Sequence, residues 1–165
     1  MSTILNTNGE RAPLPKLEER AGGKFHIVTA EWNSHITFTL RDGARSVLLQ
    51  SGVKEENIIC TTVPGTVELI NAAALLASTP DAEAIIIIGT VIRGDTPHFD
   101  YVCRIAAEGT ALINSQGKTP VIFGVLTTDN EAQALERAGG KLGNKGGEAA
   151  AAAVSMANLH AKYRK

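Results

Sequence analysis

From Lys24 onward, apolar positions follow two periods that take turns along the chain. Phe25 to Ala30 is a short apolar run rich in strand formers. Ser34 to Gln50 places Ile36, Leu40, Ala44, Val47 and Leu48 at helical spacing, and Gly52 closes the segment. Asn57 to Val63 reads as a strand and Pro64-Gly65 as a turn. Val67 to Ala77 reads as a helix. Ala84 to Ile92 does not alternate, so it is predicted to be a strand buried on both faces. A helix over Phe99 to Asn114 and a strand over Val121 to Leu126 follow. Asn130 to Ala138 and Glu148 to Lys162 are two last helices, parted by a Gly-rich stretch from Gly139 to Gly147.

Strands that alternate with helices predict a parallel sheet with helices on both faces. The expectation is one α/β domain over residues 23–165, a three-layer α/β/α sandwich with a four-stranded parallel sheet. Residues 1–22 are polar, with Pro13 and Pro15 close together, and are expected to be an extended arm free to add a strand to a neighbour's sheet. Two helices are unusually apolar. Val67 to Ala77 has only Glu68 and Asn71 as polar residues, and Glu148 to Leu159 is mostly small side chains. A helix that is apolar all round must be covered on all sides. Both are therefore expected to pack against neighbouring subunits in a homo-oligomer, the small residues of the second letting another backbone come close.

Composition narrows the function. The 165 residues carry a formal charge of −1, with no block of Lys and Arg, so neither nucleic acid nor an anionic membrane is an expected partner. Met1 to Glu10 has no basic stretch leading into an apolar one, and apolar runs such as Ala84 to Ile88 are far short of a membrane span. The expected location is cytoplasmic. Cys60 and Cys103 share no ligand-like spacing and are expected to be buried, reduced thiols. No His or Cys cluster points to a metal, and no GxGxxG follows the first strand. The Gly139 to Gly147 stretch fails the P-loop spacing.

In open parallel sheets, ligands bind outside the carboxyl ends of the strands. The residues there are Glu31, Trp32 and Asn33; Pro64 to Glu68; Arg93 to His98; and Thr127 to Asp129. They offer an aromatic ring, carboxylates, a histidine and hydroxyls, which suit a polar, planar small molecule. His98 is the strongest catalytic candidate, because an imidazole exchanges protons near neutral pH. It is equally readable as a helix-start residue with a structural hydrogen bond. His35 is the second choice, and His26 and His160 read as structural. Trp32, the sole tryptophan, is either core or a stacking platform. Glu68 is either a ligand contact or a carboxylate placed to suit a helix dipole. Arg137 either compensates a helix C-terminus or holds a phosphate.

At these residues the chain resembles the lumazine synthase family. Gly89 to Val102 (GTVIRGDTPHFDYV) is similar to its central motif and Pro64 to Glu68 (PGTVE) to its first turn. Val121 to Asp129 (VIFGVLTTD) and Glu136 to Gly146 (ERAGGKLGNKG) resemble its two later motifs. The resemblance runs from about Lys24 to Leu159 and implies a flavodoxin-like sandwich. It implies condensation of a ribitylaminouracil with 3,4-dihydroxy-2-butanone 4-phosphate, without metal or cofactor. By the same resemblance, His98 is the general acid/base, and Arg137, Asp95 and Thr96 hold the phosphate. Trp32 stacks on the pyrimidine, Thr66, Val67 and Glu68 take the ribityl chain, and Thr90, Val91 and Ile92 contact the pyrimidine by backbone. Phe123 and Arg137 come from a neighbouring subunit, while the role of Lys145 stays open. The implied assembly is a pentamer, with twelve pentamers in an icosahedral shell of sixty copies because the loop between the last two helices is short. Riboflavin synthase is the implied candidate guest. Three positions depart from the pattern: Trp32 stands for a usual Phe, Pro97 for a common Thr, and Asp95 puts a carboxyl beside the phosphate. The alternative is a flavin- or lumazine-binding shell protein without catalysis.

Overall fold

The computed structural model describes residues 13–19 and 23–163. Four strands form one sheet in the order β2-β1-β3-β4: β1 (Lys24–Ala30), β2 (Ile58–Val63), β3 (Ala82–Ile92) and β4 (Val121–Thr128). Every neighbouring pair is parallel, as the alternation of periods requires. Central β3 is buried over its first nine residues because helices cover both of its faces. Strand β2, at one edge, has no fully buried residue.

Helix α1 (Ser34–Gln50) joins β1 to β2 through a short 3-10 turn at Glu55–Asn57. Helices α2 (Glu68–Leu76) and α3 (His98–Asn114) make the next two crossovers, and α4 (Glu131–Arg137) and α5 (Lys145–Tyr163) follow β4. On one face Phe25, Ile27, Ile86 and Ile88 pack against Leu40, Leu48, Ala150 and Val154 of α1 and α5. On the other, Val28, Ile85, Ile87 and Val125 pack against Leu69 and Ala73 of α2 and Ile113 of α3. The expected three-layer sandwich is present.

Three expectations need correction. The Gly139 to Gly147 stretch is not a plain loop: Ala138–Gly140 (β5) pairs antiparallel with Gly143–Asn144 (β6). Helix α5 begins at Lys145, ahead of the predicted Glu148, because Asn144 Oδ1 accepts the Gly147 N–H and Lys145 pairs with Glu148 across the first turn. Within the chain, the first turn of α5 lies close against the backbone of α1. An added Cβ at Gly146 would lie 1.9 Å from the Leu40 carbonyl oxygen. The cysteines are free but not buried: Cys60 is exposed on edge strand β2 and Cys103 is half-buried on α3.

Helix α2 does keep an open apolar side. Leu75 is 71% exposed, and Tyr101 and Leu112 of α3 are comparably open. Of the expected arm, residues 1–12 and 20–22 lie outside the described residues. Pro13–Glu19 has no regular structure and runs past the α1 C-terminus to α5, with the Leu17 N–H donating to Ser51 O at 2.9 Å and the Glu18 N–H to Asn158 Oδ1 at 3.0 Å.

Candidate active site

The carboxyl ends of β1 and β2 are stitched together by backbone. The Glu31 N–H donates to Val63 O at 2.8 Å and the Trp32 N–H to Pro64 O at 3.1 Å. Asn33 then takes a left-handed conformation (φ 58°, ψ 44°), tolerated by Asn, and turns the chain into α1. The indole of Trp32 is left 68% exposed above Gly65. A Cβ at Gly65 would stand 2.7 Å from two indole carbons and 3.0 Å from Glu68 Oε2, so only glycine fits under this ring. Thr66 is buried, its Oγ1 facing Gly89 of β3 closely enough to exclude a Cβ there. Val67 points partly outward at the start of α2. Trp32, Thr66 and Glu68 thus converge around one turn.

Beside that turn the sheet has a step. Pairing of β1 with β3 ends at Thr29 and Ile88, whereas β3 and β4 stay paired up to Ile92 and Thr128. Thr90, Val91 and Ile92 therefore present one backbone edge with no strand against it. The Thr90 hydroxyl is buried and has no hydrogen-bond partner among the described residues. Phe123 is half-buried lower on β4, opposite Ile87, and packs on the α2–α3 side. Phe123 is not brought to Trp32 within the chain.

Beyond β3, Arg93 to Pro97 is an exposed segment, and Asp95 and Thr96 are open to solvent. His98 is the first residue of α3, exposed, with no side-chain hydrogen bond or ion pair among the described residues. His35, by contrast, is engaged: its Nε2 lies 2.6 Å from Glu131 Oε1. His26 is only 6% exposed on β1 and has no hydrogen-bond partner for either ring nitrogen among the described residues; burial lowers its pKa below the usual 6.5. Arg137 closes α4, its Nη1 donating to Gln133 O at 2.9 Å. Ala134 and Ala138 anchor that helix end in the α1–α5 layer, whereas α3 belongs to the opposite layer. One chain does not bring Arg137 to His98. Lys145 is 2% exposed and bonds both oxygens of Glu148 at 2.7 and 2.9 Å.

Sequence reasoning missed Arg93 as a structural element. Its backbone N–H donates to Thr128 O, its Nε and Nη1 reach Asp129 and Asp100 at 3.0 and 3.4 Å, and its guanidinium lies 4.1 Å from the Phe99 ring centre. The only local signal was an Arg directly after a buried strand. A groove of about 520 Å³ lies elsewhere, between α1 and α5 under Pro13–Pro15, and holds none of the rim residues. The described residues contain no cluster of His, Cys, Asp and Glu able to hold a metal.

The parallel sheet with helices on both faces defines a flavodoxin-like α/β domain, and the open step, the exposed indole beside it and the unengaged imidazole opening the next helix make its strand ends the candidate site. The family model of 6,7-dimethyl-8-ribityllumazine synthase matches residues 22–161, and the chain belongs to that family. Proteins named 6,7-dimethyl-8-ribityllumazine synthase are similar over most of their length. The one from Bacteroides fragilis is 54% identical over 133 residues, covering 81% of this chain and 93% of its own. That from Porphyromonas gingivalis is 55% identical over 136 residues (82% and 84%), and that from Cytophaga hutchinsonii 48% over 151 residues (92% and 93%).

Proposed function

We propose that the chain condenses 5-amino-6-(D-ribitylamino)uracil with 3,4-dihydroxy-2-butanone 4-phosphate, giving 6,7-dimethyl-8-ribityllumazine and inorganic phosphate for riboflavin biosynthesis. The observation that carries this reading is the step beside Trp32. A uracil ring has donors and acceptors along its edge and a flat face. The unpaired backbone of Thr90–Ile92 matches the edge, and the exposed indole matches the face. The ribityl hydroxyls extend toward Thr66, Val67 and Glu68 around Gly65.

The chemistry follows from what remains. The uracil's free amino group attacks the butanone carbonyl, water leaves as the imine forms, phosphate is eliminated, and the second amine adds to the carbonyl that remains, closing the ring with loss of a second water. Each step moves a proton, and His98, with no competing partner, serves as general acid and base. Phosphate sits at the N-terminus of α3, where backbone N–H groups near Asp95 and Thr96 face it and the Asp95 side chain turns away. Arg137 offsets the departing dianion, and because it lies on the far layer of its own chain, it does so in a neighbour's site, with Phe123 beside it. The open apolar side of α2 and α3 around Leu75, Tyr101 and Leu112 supports such a neighbour. The assembly is a homo-pentamer, packed twelvefold into an icosahedral shell in the cytoplasm, with riboflavin synthase as its candidate guest.

The test mixes the purified protein with both substrates and follows lumazine absorbance and fluorescence against the slow spontaneous reaction. Acceleration that falls about 10²–10⁴-fold in His98→Ala, yet stays above the uncatalysed rate, is the expected outcome. No acceleration, with tight flavin binding, would instead make the protein a non-catalytic flavin carrier. Sedimentation showing pentamers alone would remove the shell.

A further inference from the structure

We propose that Arg93 is a positioning residue: its guanidinium holds the first turn of α3, which carries His98, against the β4–α4 loop that leads to Arg137. The inference rests on the synthase reading above.

Arg93 lies between the helix turn that carries His98 of its own site and the helix that carries Arg137, which serves a neighbour's site. On one side, Nη1 reaches Asp100 Oδ1 at 3.4 Å and the guanidinium stacks on Phe99 at 4.1 Å. These are the two residues that follow His98 in the first turn of α3. On the other side, Nε donates to Asp129 Oδ1 at 3.0 Å. The Asp129 N–H then donates to Gln133 Oε1 at 3.0 Å, and the Gln133 carbonyl accepts from Arg137 Nη1 at 2.9 Å. Asn130 locks the middle of this path by accepting the Gln133 N–H at 3.0 Å. A series of hydrogen bonds thus runs from the helix turn of the acid/base residue of one site to the residue that holds phosphate in the adjoining one.

Each ion pair in it is solvent-exposed and weak alone. What they supply together is geometry. The guanidinium is a rigid planar fork, and only a fork spans two carboxylates on different elements while its face packs on a ring. Lysine would bring the charge to one of them and not to both. The backbone N–H of Arg93 donates to Thr128 O at 2.9 Å, which fixes the root of the fork to the sheet. His98 has no side-chain hydrogen bond or ion pair among the described residues to orient it, so its position is set by the turn that carries it.

The test is a kinetic double-mutant cycle on the assembled protein. Arg93→Met is expected to lower kcat by about 10- to 100-fold, the cost of misplacing a reacting group by about 1 Å. It is also expected to raise KM for the butanone phosphate while leaving KM for the ribitylaminouracil little changed. Arg93→Lys recovers only part of kcat. In a His98→Ala background, Arg93→Met has little further effect on kcat, because no imidazole is left to misplace. Equal fold losses in both backgrounds, or a fall in thermal stability with kcat and both KM values intact, would overturn the proposal. If Arg93→Met does not assemble, Asp129→Ala breaks the same path and is read the same way. An inactive wild type would sink the synthase reading itself, whereas an active wild type with an unaffected variant sinks only the role of Arg93.

Discussion

Gly146→Ala tests the closest approach in the fold. A Cβ at Gly146 would lie 1.9 Å from the Leu40 carbonyl oxygen and 2.6 Å from the Leu40 carbonyl carbon. Both are backbone atoms, so no side-chain rotation relieves the contact. Helices α1 and α5 must separate by about 1 Å or more. A gap of about 0.5–1 Å forfeits a quarter to a half of each dispersion contact across it. The contacts at risk join fully buried Leu40, Ala44 and Leu48 to Ala150, Ala153 and Val154. Overpacking costs about 1–3 kcal/mol, and an immovable backbone neighbour places this case near about 3. Alanine is favoured over glycine in a helix by about 1 kcal/mol, which offsets part of the clash. The net expectation is a loss of about 2 kcal/mol, or roughly 4–8 °C in Tm for a chain of this size. Thermal melts at fixed protein concentration, run beside Gly94→Ala, would measure it, because an added Cβ at Gly94 meets nothing within 4 Å. The sign decides the matter. Without the clash, the helix propensity of alanine acts alone and Gly146→Ala melts higher than wild type, which would refute the close approach.

Three further outcomes follow from the same geometry. His26 is buried without a hydrogen-bond partner among the described residues and its pKa is held down chiefly by burial, so the unfolded chain takes up a proton there more readily. Its contribution is complete above pH 6.5 and is lost as pH falls below that value; the difference in denaturation midpoint between wild type and His26→Val should change between pH 7.5 and 5, and a constant difference would exclude His26 as the cause. Asp81, whose pKa is lowered by the hydrogen bond from Lys24, titrates below 3.8 and leaves this window undisturbed. Gly65→Ala drives a methyl into the indole of Trp32 and should raise KM for the ribitylaminouracil with a smaller effect on KM for the butanone phosphate; equal effects on both would place Trp32 away from the pyrimidine. Lys145→Met strands the Glu148 carboxylate in a largely buried site and should cost about 3–5 kcal/mol in urea denaturation, with Lys145→Met/Glu148→Leu recovering much of it.

The fold was legible where side-chain periodicity exists. Helix α1 has the predicted bounds, Ser34–Gln50, because its apolar stripe is regular. Strand β3 was recognisable because only a strand buried on both faces stays apolar without alternating. The β5–β6 hairpin had no such signal, since a glycine-rich stretch carries no apolar period. What fixes it is tertiary: Asn144 donates to Thr39 O at 2.9 Å and leaves no room for a side chain at Gly43. The exposure of Cys60 was hidden for a similar reason, because nothing local says which strand will lie at a sheet edge. At the rim, the strand-end rule located Trp32, Thr66, Glu68 and His98. It could not reveal that Trp32 lies over Gly65, or that Arg93 reaches both Asp100 and Asp129. The contacts of Trp32 with Gly65 and of Arg93 with Asp129 join residues far apart in the chain.

The pairing of α1 with α5 also sets a schedule for synthesis. Helix α1 is complete at Gln50, but α5, which covers one side of it, begins 95 residues later at Lys145. At about 5–20 residues per second, roughly 5–20 s pass before that cover is made. Through that interval part of the surface of Leu40, Ala44 and Leu48 has no native partner. A nascent chain of this protein is therefore stickier before α5 emerges than after it, and the arrival of α5 ends the hazard.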